Sequence, residues 1–162
     1  MEKIPDTIEE IIKAEEKNQD QSSDLEDRFA KERLEWTKKI EEMSKKLRNL
    51  QELNDLLTEI HTERQRAVEY YHYLEFIISK ITMKYRKQWA ERYNYYSYES
   101  QKRFPNEKTK EIQILTDLSD IVLKRELLET HRKFMDSSIK TVDNITYGIN
   151  HKIKIEELSK GK

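Results

Sequence analysis

The chain has 162 residues, of which 39% are charged and 35% hydrophobic, with only two glycines and two prolines. This balance excludes both a thick globular core and plain disorder, and it is typical of long helices and coiled coils. With 31 basic and 32 acidic residues the formal net charge is −1, so the overall charge indicates no class of partner.

The absence of cysteine excludes disulfides and thiol chemistry, and it favours a reducing, cytoplasmic location. The acidic N-terminus lacks the apolar core of a signal peptide. The most apolar run, Tyr73–Met83, is interrupted by Glu75 and Lys80 and is too short to span a bilayer. We therefore expect a soluble protein with no membrane partner.

The charges are distributed unevenly along the chain. Residues 1–27 contain ten acidic residues and three lysines, whereas residues 80–110 contain nine basic residues and three acidic ones. An acidic start and a basic middle predict contact between these two parts, either within one protomer or between protomers.

Residues 1–23 are predicted to form an acidic N-terminal helix followed by a linker. Asp6 or Thr7 is suited to cap the helix, and the polar stretch "NQDQSSD" (18–24) follows it. The apolar face of this short amphipathic helix consists of Ile8, Ile11 and Ile12.

Residues 24–99 are predicted to form a long helical or coiled-coil segment that ends in a basic and aromatic patch. Two apolar registers run along it. The first consists of Trp36, Ile40, Met43, Leu47 and Leu50, and the second of Leu57, Ile60, Ala67, Tyr71, Leu74, Ile78, Ile81 and Tyr85. The registers clash between Leu50 and Leu57, which predicts a coiled-coil slip or a helix break there.

Residues 100–107 are predicted to form a loop, and residues 108–162 a C-terminal helix and tail. Pro105 disfavours helix at Phe104, and Asn106 is suited to cap the following helix. The apolar stripe of that helix consists of Leu115, Leu118, Val122, Leu128, Met135, Val142, Ile145, Ile149 and Ile153. Because no segment has the pattern of a strand, the predicted fold is all-α, with long antiparallel helices or a coiled coil that self-associates.

The sequence offers little that resembles a catalytic or metal site. Glu69 and His72 form one Glu-x-x-His unit, and Glu129 lies two residues before His131. A carboxylate-bridged metal site in a helical bundle needs two such units, and residues two apart do not share a helix face. We therefore interpret these histidines as solvated side chains and predict a protein that is not an enzyme and binds no metal or cofactor.

The most unusual stretch is "WAERYNYYSY" (89–98). Eleven of the fifteen Phe, Trp and Tyr residues lie between residues 70 and 104. Helical geometry divides this region into two faces. The face predicted to be core contains Tyr85, Trp89 and Tyr96, flanked by Arg92 and Tyr93, whereas the opposite face contains Lys84, Lys87, Glu91, Tyr95 and Tyr98.

Exposed lysine and arginine interleaved with tyrosine is the composition that suits single-stranded nucleic acid. The cations neutralise phosphates, and the rings stack on bases of any identity. The loop adds Lys102, Arg103 and Phe104. Three alternatives stay open: a tyrosine-rich helix–helix interface, a structural coiled-coil scaffold without nucleic-acid binding, and a binder of duplex DNA or RNA.

The order of features resembles the UvsY family, the recombination mediators of bacteriophages. "RYNYYS" (92–97) fits the pattern Arg-x-x-Tyr-Tyr-Ser with which the family's basic helix ends. The segment 111–162 is similar to its long C-terminal helix, and "TIEEIIK" (7–13) to its short acidic helix. The chain departs from the family in two ways. It has an extra stretch at about residues 40–68, and the loop after Ser97 has Tyr98-Glu99 instead of the expected Gly-containing turn.

This resemblance implies a ring-forming, non-enzymatic protein in the cytoplasm of a phage host. Such a mediator binds single-stranded DNA and helps a RecA-like recombinase of the UvsX type replace the single-strand-binding protein in homologous recombination and repair. The predicted DNA-binding residues are Lys84, Arg86, Lys87, Arg92, Tyr93, Tyr95, Tyr98, Lys102 and Arg103. The predicted oligomerisation residues are Leu128, Met135, Val142, Ile145, Ile149 and Ile153.

Overall fold

The computed structural model describes residues 21–47 and 53–160, and these residues form four α-helices. The helices are α1 (Gln21–Lys46), α2 (Leu53–Asn94), α3 (Glu107–Asp117) and α4 (Ser119–Lys160), and a short π-helix, Tyr95–Glu99, continues α2. No strand occurs in the described ranges, so the predicted all-α class is confirmed there. The predicted N-terminal helix lies outside these residues. The prediction of a linker over residues 18–24 is wrong for its second half, because α1 begins at Gln21.

The predicted discontinuity between Leu50 and Leu57 is a reversal of the chain. Helix α1 ends at Lys46, and α2 begins at Leu53 and runs back beside it. The Lys46 Nζ atom lies 2.6 Å from a Glu59 carboxylate oxygen, and Lys39 Nζ lies 2.8 Å from Glu63. The two clashing registers therefore belong to two antiparallel helices that each face the same core.

Helix α4 completes a three-helix bundle. It runs antiparallel to α2, because Arg132 contacts Glu75 at 3.1 Å while Arg64 forms an ion pair with Asp143, further along α4. The core has two clusters of buried apolar side chains, one centred on Phe29, Leu74 and Leu128 and the other on Met43, Ile60 and Val142. None of the described helices is long and apolar enough to cross a membrane.

The predicted oligomerisation residues lie inside this bundle. Leu128, Met135, Val142, Ile145 and Ile149 are buried, and Ile153 is half-buried against the second cluster. They pack on α1 and α2 of the same chain, in the same clusters as Phe29 and Met43 of α1 and Leu74 and Ile60 of α2. In the folded protomer these side chains are therefore occupied by contacts within the chain, and they are not available to a second copy unless those contacts are exchanged.

The predicted single helix after the loop is in fact two helices that meet at Leu118. This residue has φ −106° and ψ 13°, and its N–H donates to the Ile114 carbonyl at 3.1 Å. The residues around Leu118 are of types that favour helix caps over helix interiors, namely Asp117, Ser119 and Asp120. A break in the helix therefore costs little free energy here. The break lets α3 pack on the end of α2, with Ile114 fully buried, while Leu115, predicted to be core, is 46% exposed.

Among the described residues, the bundle has three helices over most of its length and two at one end. Leu25, near the start of α1, packs in the same cluster as Ile77, Ile81 and Leu128. Beyond that level, the described chain consists of residues 82–99 facing residues 107–127. We call this part the two-helix extension, and it carries the basic and aromatic stretch.

Candidate nucleic-acid interface

The outward face of the two-helix extension carries the exposed lysines and tyrosines. Lys84 and Lys87 are exposed on α2, and Tyr95 and Tyr98 are 43% and 84% exposed on the π-helix. The Lys87 ammonium lies 3.9 Å from Glu91 on the next turn, a loose pair on a solvated surface. The prediction that these four side chains point away from the core is confirmed.

The π-helix explains the position of Tyr98. Its closing hydrogen bond runs from the Ser100 N–H to the Tyr95 carbonyl, at 2.8 Å, so the last turn is one residue wider than an α-helical turn. Ser100 is extended, with ψ 139°, and the chain leaves the helix there. Tyr98 therefore lies at the rim of the helix end, where little of the chain packs against its ring.

The inward aromatic side chains lie at the edge of the core. Trp89 stacks on Tyr93 with a centroid distance of 5.2 Å and an angle of 18°, and Tyr96 meets Phe104 edge-on at 5.2 Å. Trp89 and Tyr96 are half-buried, as is Tyr85. Together with buried Ile114 and Leu118, these rings form the packing in this part of the described chain.

Tyr93 is occupied within the chain. Its hydroxyl donates to Glu107 Oε1 at 2.5 Å, and Lys110 Nζ lies 4.2 Å from the ring centroid. This hydrogen bond raises the pKa of Tyr93 and lowers that of Glu107. The Lys110 ammonium, on a side chain that is largely buried, also donates to Ser97 Oγ at 2.9 Å. Tyr93 therefore fastens α3 to α2, and its ring already has two partners.

The remaining predicted DNA-binding residues divide between exposed and engaged positions. Arg86 is exposed, but it lies about 160° around α2 from Lys84. Arg92 is 4.0 Å from an Asp117 oxygen, and Lys102 donates to Gln113 at 2.7 Å. Arg103 is exposed on the loop. The structure thus brings Lys84, Lys87, Tyr95 and Tyr98 together on one side, and it does not bring Arg86 or Tyr93 to that face.

The loop between the two helices is placed as the sequence predicts. Asn106 accepts a hydrogen bond from the Thr109 N–H at 2.9 Å and caps α3. Three residues that the sequence analysis did not assign to the site, Glu107, Lys110 and Asp117, position its aromatic side chains. Their only sequence signal is the Glu107–Lys110 spacing, which is common on solvated helices and so indicates nothing specific.

Asp117 gives a test of this packing. Its carboxylate accepts from the Tyr96 hydroxyl at 2.6 Å, and this bond lowers the pKa of Asp117 and raises that of Tyr96. A carboxyl with a lowered folded-state pKa stabilises the fold above its unfolded pKa of about 4, and this contribution is lost as pH falls through the folded-state value. We expect wild type to lose more unfolding free energy than Asp117→Asn between about pH 6 and about pH 3.

Urea unfolding at a series of pH values measures this difference. Asp27→Asn, which changes an exposed carboxyl on α1, is the matched control and should retain the wild-type acid slope. An Asp117→Asn protein with the same acid slope as Asp27→Asn would show that the Tyr96–Asp117 bond does not stabilise the fold.

The interpretation of the histidines as solvated is right for His72 and wrong for His131. The His72 side chain is 67% exposed and pairs loosely with Glu75. His131 is fully buried, stacks on Phe29 at 4.1 Å and has Nε2 3.0 Å from Glu32 Oε2. The register of α4 requires this, because position 131 follows buried Leu128 by three residues and precedes buried Met135 by four.

Glu32 lies between His131 and Tyr70, so one carboxylate joins three helices. The Tyr70 hydroxyl donates to Glu32 Oε2 at 2.7 Å. Burial opposes ionisation of Glu32, but the contact with His131, the hydrogen bond from Tyr70 and the charge of Arg28 outweigh it and hold its pKa below the usual range. Burial and the Glu32 charge raise the pKa of Tyr70. Within the described residues, no group of three His, Asp or Glu side chains is arranged to hold a metal ion.

Comparisons with protein-family models, with curated proteins and with solved structures each found no match. The resemblance to the phage recombination mediators therefore stays a prediction drawn from the residues quoted above.

Proposed function

We propose that this protein binds single-stranded DNA and acts as a recombination mediator. The observation that carries the proposal is the outward face of the two-helix extension, where Lys84, Lys87, Tyr95 and Tyr98 are exposed together. Tyr95 meets the Tyr96 ring edge-on at 5.3 Å and is 43% exposed, and Tyr98 is 84% exposed, so much of each ring is open to a ligand beside the lysines. Their chemistry suits a flexible, unpaired strand.

The geometry of this face favours a strand without sequence preference. Lys84 and Tyr95 are eleven residues apart on one helix, about 16 Å. The lysines are point charges that neutralise phosphates, and the rings stack on bases of any identity, at about 1–3 kcal/mol per base. Two further cations are paired within the chain, Arg92 with Asp117 and Lys102 with Gln113. On binding of a strand, each gives up this weak contact and binds a phosphate instead. One protomer supplies few contacts, so its own affinity is low.

Assembly into a ring would repeat this face along one strand. Such repetition raises affinity through effective concentration, without any new contact. An exposed stripe near the end of α4 is suited to self-association. Tyr147, Ile155 and Leu158 are 75%, 52% and 74% exposed, and Tyr147 stacks on His151 at 6.4 Å. Their spacing of four, four and three residues places Tyr147, His151, Ile155 and Leu158 on one helix face.

The mediator role is the part of the proposal that the family resemblance supplies. A mediator in this sense helps a RecA-like recombinase of the UvsX type displace the single-strand-binding protein. A mediator must bind the strand with high overall affinity and still release it to the recombinase. Many weak contacts repeated around a ring satisfy both requirements, because each contact dissociates easily by itself.

A structural scaffold is the second candidate. The observation that favours it is the internal pairing of several cations in the basic stretch, including Arg92, Lys102 and Lys110. A scaffold of this kind forms oligomers and has no measurable affinity for nucleic acid at low salt.

Sedimentation with and without an oligothymidylate separates the two candidates. The mediator proposal predicts an oligomer in the absence of DNA and co-sedimentation of the oligonucleotide with it. Competition with duplex DNA and with RNA of the same length should displace the labelled single strand only at a large excess. Oligomers that leave the oligonucleotide unbound support the scaffold, and equal competition by duplex or RNA overturns the single-strand assignment.

A further inference from the structure

Residues seven positions apart on α2 lie along one line of the helix, and the first part of this line faces α1. Glu63 binds Lys39, and seven residues later Tyr70 binds Glu32. Ile77, another seven residues on, lies in the same buried cluster as Leu25 of α1. The next two positions on this line are Lys84 and Glu91, and both are exposed. The line on which α1 packs therefore continues onto the two-helix extension beyond the first described residue of α1.

On α4, His131 contacts Glu32, and by the same register Lys124, seven residues earlier, comes level with Leu25 near the start of α1. Half-buried Ile121 lies next along α4, at the edge of the uncovered part of α2. We call this surface the open face. It consists of Lys80, Lys84, Lys87, Glu91, Tyr95 and Ile121, so its three lysines outnumber its one acidic residue.

The chain itself contains a segment with the complementary chemistry, directly before α1. Residues 1–20 contain seven acidic residues and three lysines, and they also contain Ile4, Ile8, Ile11 and Ile12. Twenty residues span about 30 Å as a helix, whereas Lys80 and Tyr95 are about 22 Å apart along α2. The segment is long enough to cover the whole open face.

The register of the α1–α2 pair gives the expected contact. Moving seven residues towards the start of α1 moves the contact seven residues forward on α2, from Lys39–Glu63 to Glu32–Tyr70. If this register continued beyond α1, the residue opposite Lys87 would be Glu15. Such a contact would place an acid against an exposed lysine whose present partner, Glu91, is 3.9 Å away.

We propose that residues 1–20 dock on the open face of their own chain and thereby cover Lys84, Lys87 and Tyr95. The acidic side chains pair with lysines, and the isoleucines pack on Ile121 and the Tyr95 ring. The docking rests on register and charge. Its consequence, that the segment competes with a nucleic acid for the same lysines, rests on the proposed function.

A disulfide test addresses the docking without any nucleic acid. The chain has no cysteine, so Glu15→Cys with Lys87→Cys introduces a single pair. Mild oxidation of the full chain should close this pair within one molecule. Glu15→Cys with Arg86→Cys is the control, because Arg86 lies about 100° further around α2 and should stay reduced. Equal oxidation of both pairs, or disulfides formed only between chains, overturns intramolecular docking.

A binding test addresses the competition. Changing Glu9, Glu10, Glu15 and Glu16 to Gln should raise the affinity for an oligothymidylate about tenfold, a typical size for linked sites. The matched control instead neutralises four exposed acidic residues of α1 and α2, with Glu35→Gln, Glu41→Gln, Glu42→Gln and Asp55→Asn. An equal rise in the control overturns the competition, because total charge then explains it.

The two tests separate this inference from the proposed function. A disulfide between positions 15 and 87 in a protein that binds no oligonucleotide supports the docking and overturns DNA binding. Oligonucleotide binding without that disulfide supports the proposed function and overturns the docking.

Discussion

Replacing Lys84, Lys87, Tyr95 and Tyr98 together by alanine is expected to lower the affinity for an oligothymidylate by at least about 100-fold. Loss of two stacking rings accounts for most of this, at about 1–3 kcal/mol per base. All four side chains are exposed, so the bundle should stay folded, which helical circular dichroism and urea unfolding check. Fluorescence anisotropy of a labelled strand measures the affinity.

The two kinds of side chain should be distinguishable by salt. The Lys84→Ala, Lys87→Ala pair should reduce the slope of log K against log salt by about 1.4, since a single-strand phosphate contact contributes about 0.7. The Tyr95→Ala, Tyr98→Ala pair should weaken binding at every salt concentration and leave the slope unchanged. Lys38→Ala with Lys45→Ala, exposed on α1 far from the face, is the control for charge. A control that loses as much affinity as the first pair would show that the site is elsewhere.

The second large effect is on stability. His131→Ala should lower the free energy of unfolding by about 3 kcal/mol, the order found when a large buried side chain is truncated. The ring of His131 packs between Phe29 and Phe134, with centroid distances of 4.1 and 6.3 Å, and it supports the Glu32 carboxylate. His131→Phe retains the stacking and removes the polar contact, so it should cost less than His131→Ala.

Urea unfolding measures these changes, and His72→Ala is the matched control. His72 is an exposed histidine on α2, so its truncation should change the unfolding free energy by no more than about 0.5 kcal/mol. If His131→Ala is no more destabilising than His72→Ala, the contacts of the His131 ring with Phe29 and Glu32 do not stabilise the bundle.

The helical class and the loop were predictable because their signals are local. Proline and asparagine at 105 and 106 determine a helix start whatever the rest of the chain does. The register clash after Leu50 likewise predicted a break. Periodicity could not show that the chain reverses there, because a slip in one long coiled coil and a hairpin of two helices give the same clash.

The errors concern packing between distant segments. The stripe from Leu128 to Ile153 predicted a contact face but not its partner, and the chain's own α1 and α2 cover it. His131 looks like a surface histidine among charged neighbours, and its burial depends on Glu32 and Tyr70, 99 and 61 positions away. The break at Leu118 has neither proline nor glycine to mark it. By contrast, the outward position of Tyr95 and Tyr98 followed from helical angles alone.

The most direct test of the central claim is a salt titration of the wild-type protein with one labelled oligothymidylate. We expect binding at low salt, a linear fall of log K with log salt and weaker binding of a duplex of the same length. Absence of binding at the lowest salt concentration would contradict the proposal that the exposed lysines and tyrosines of the two-helix extension hold single-stranded DNA.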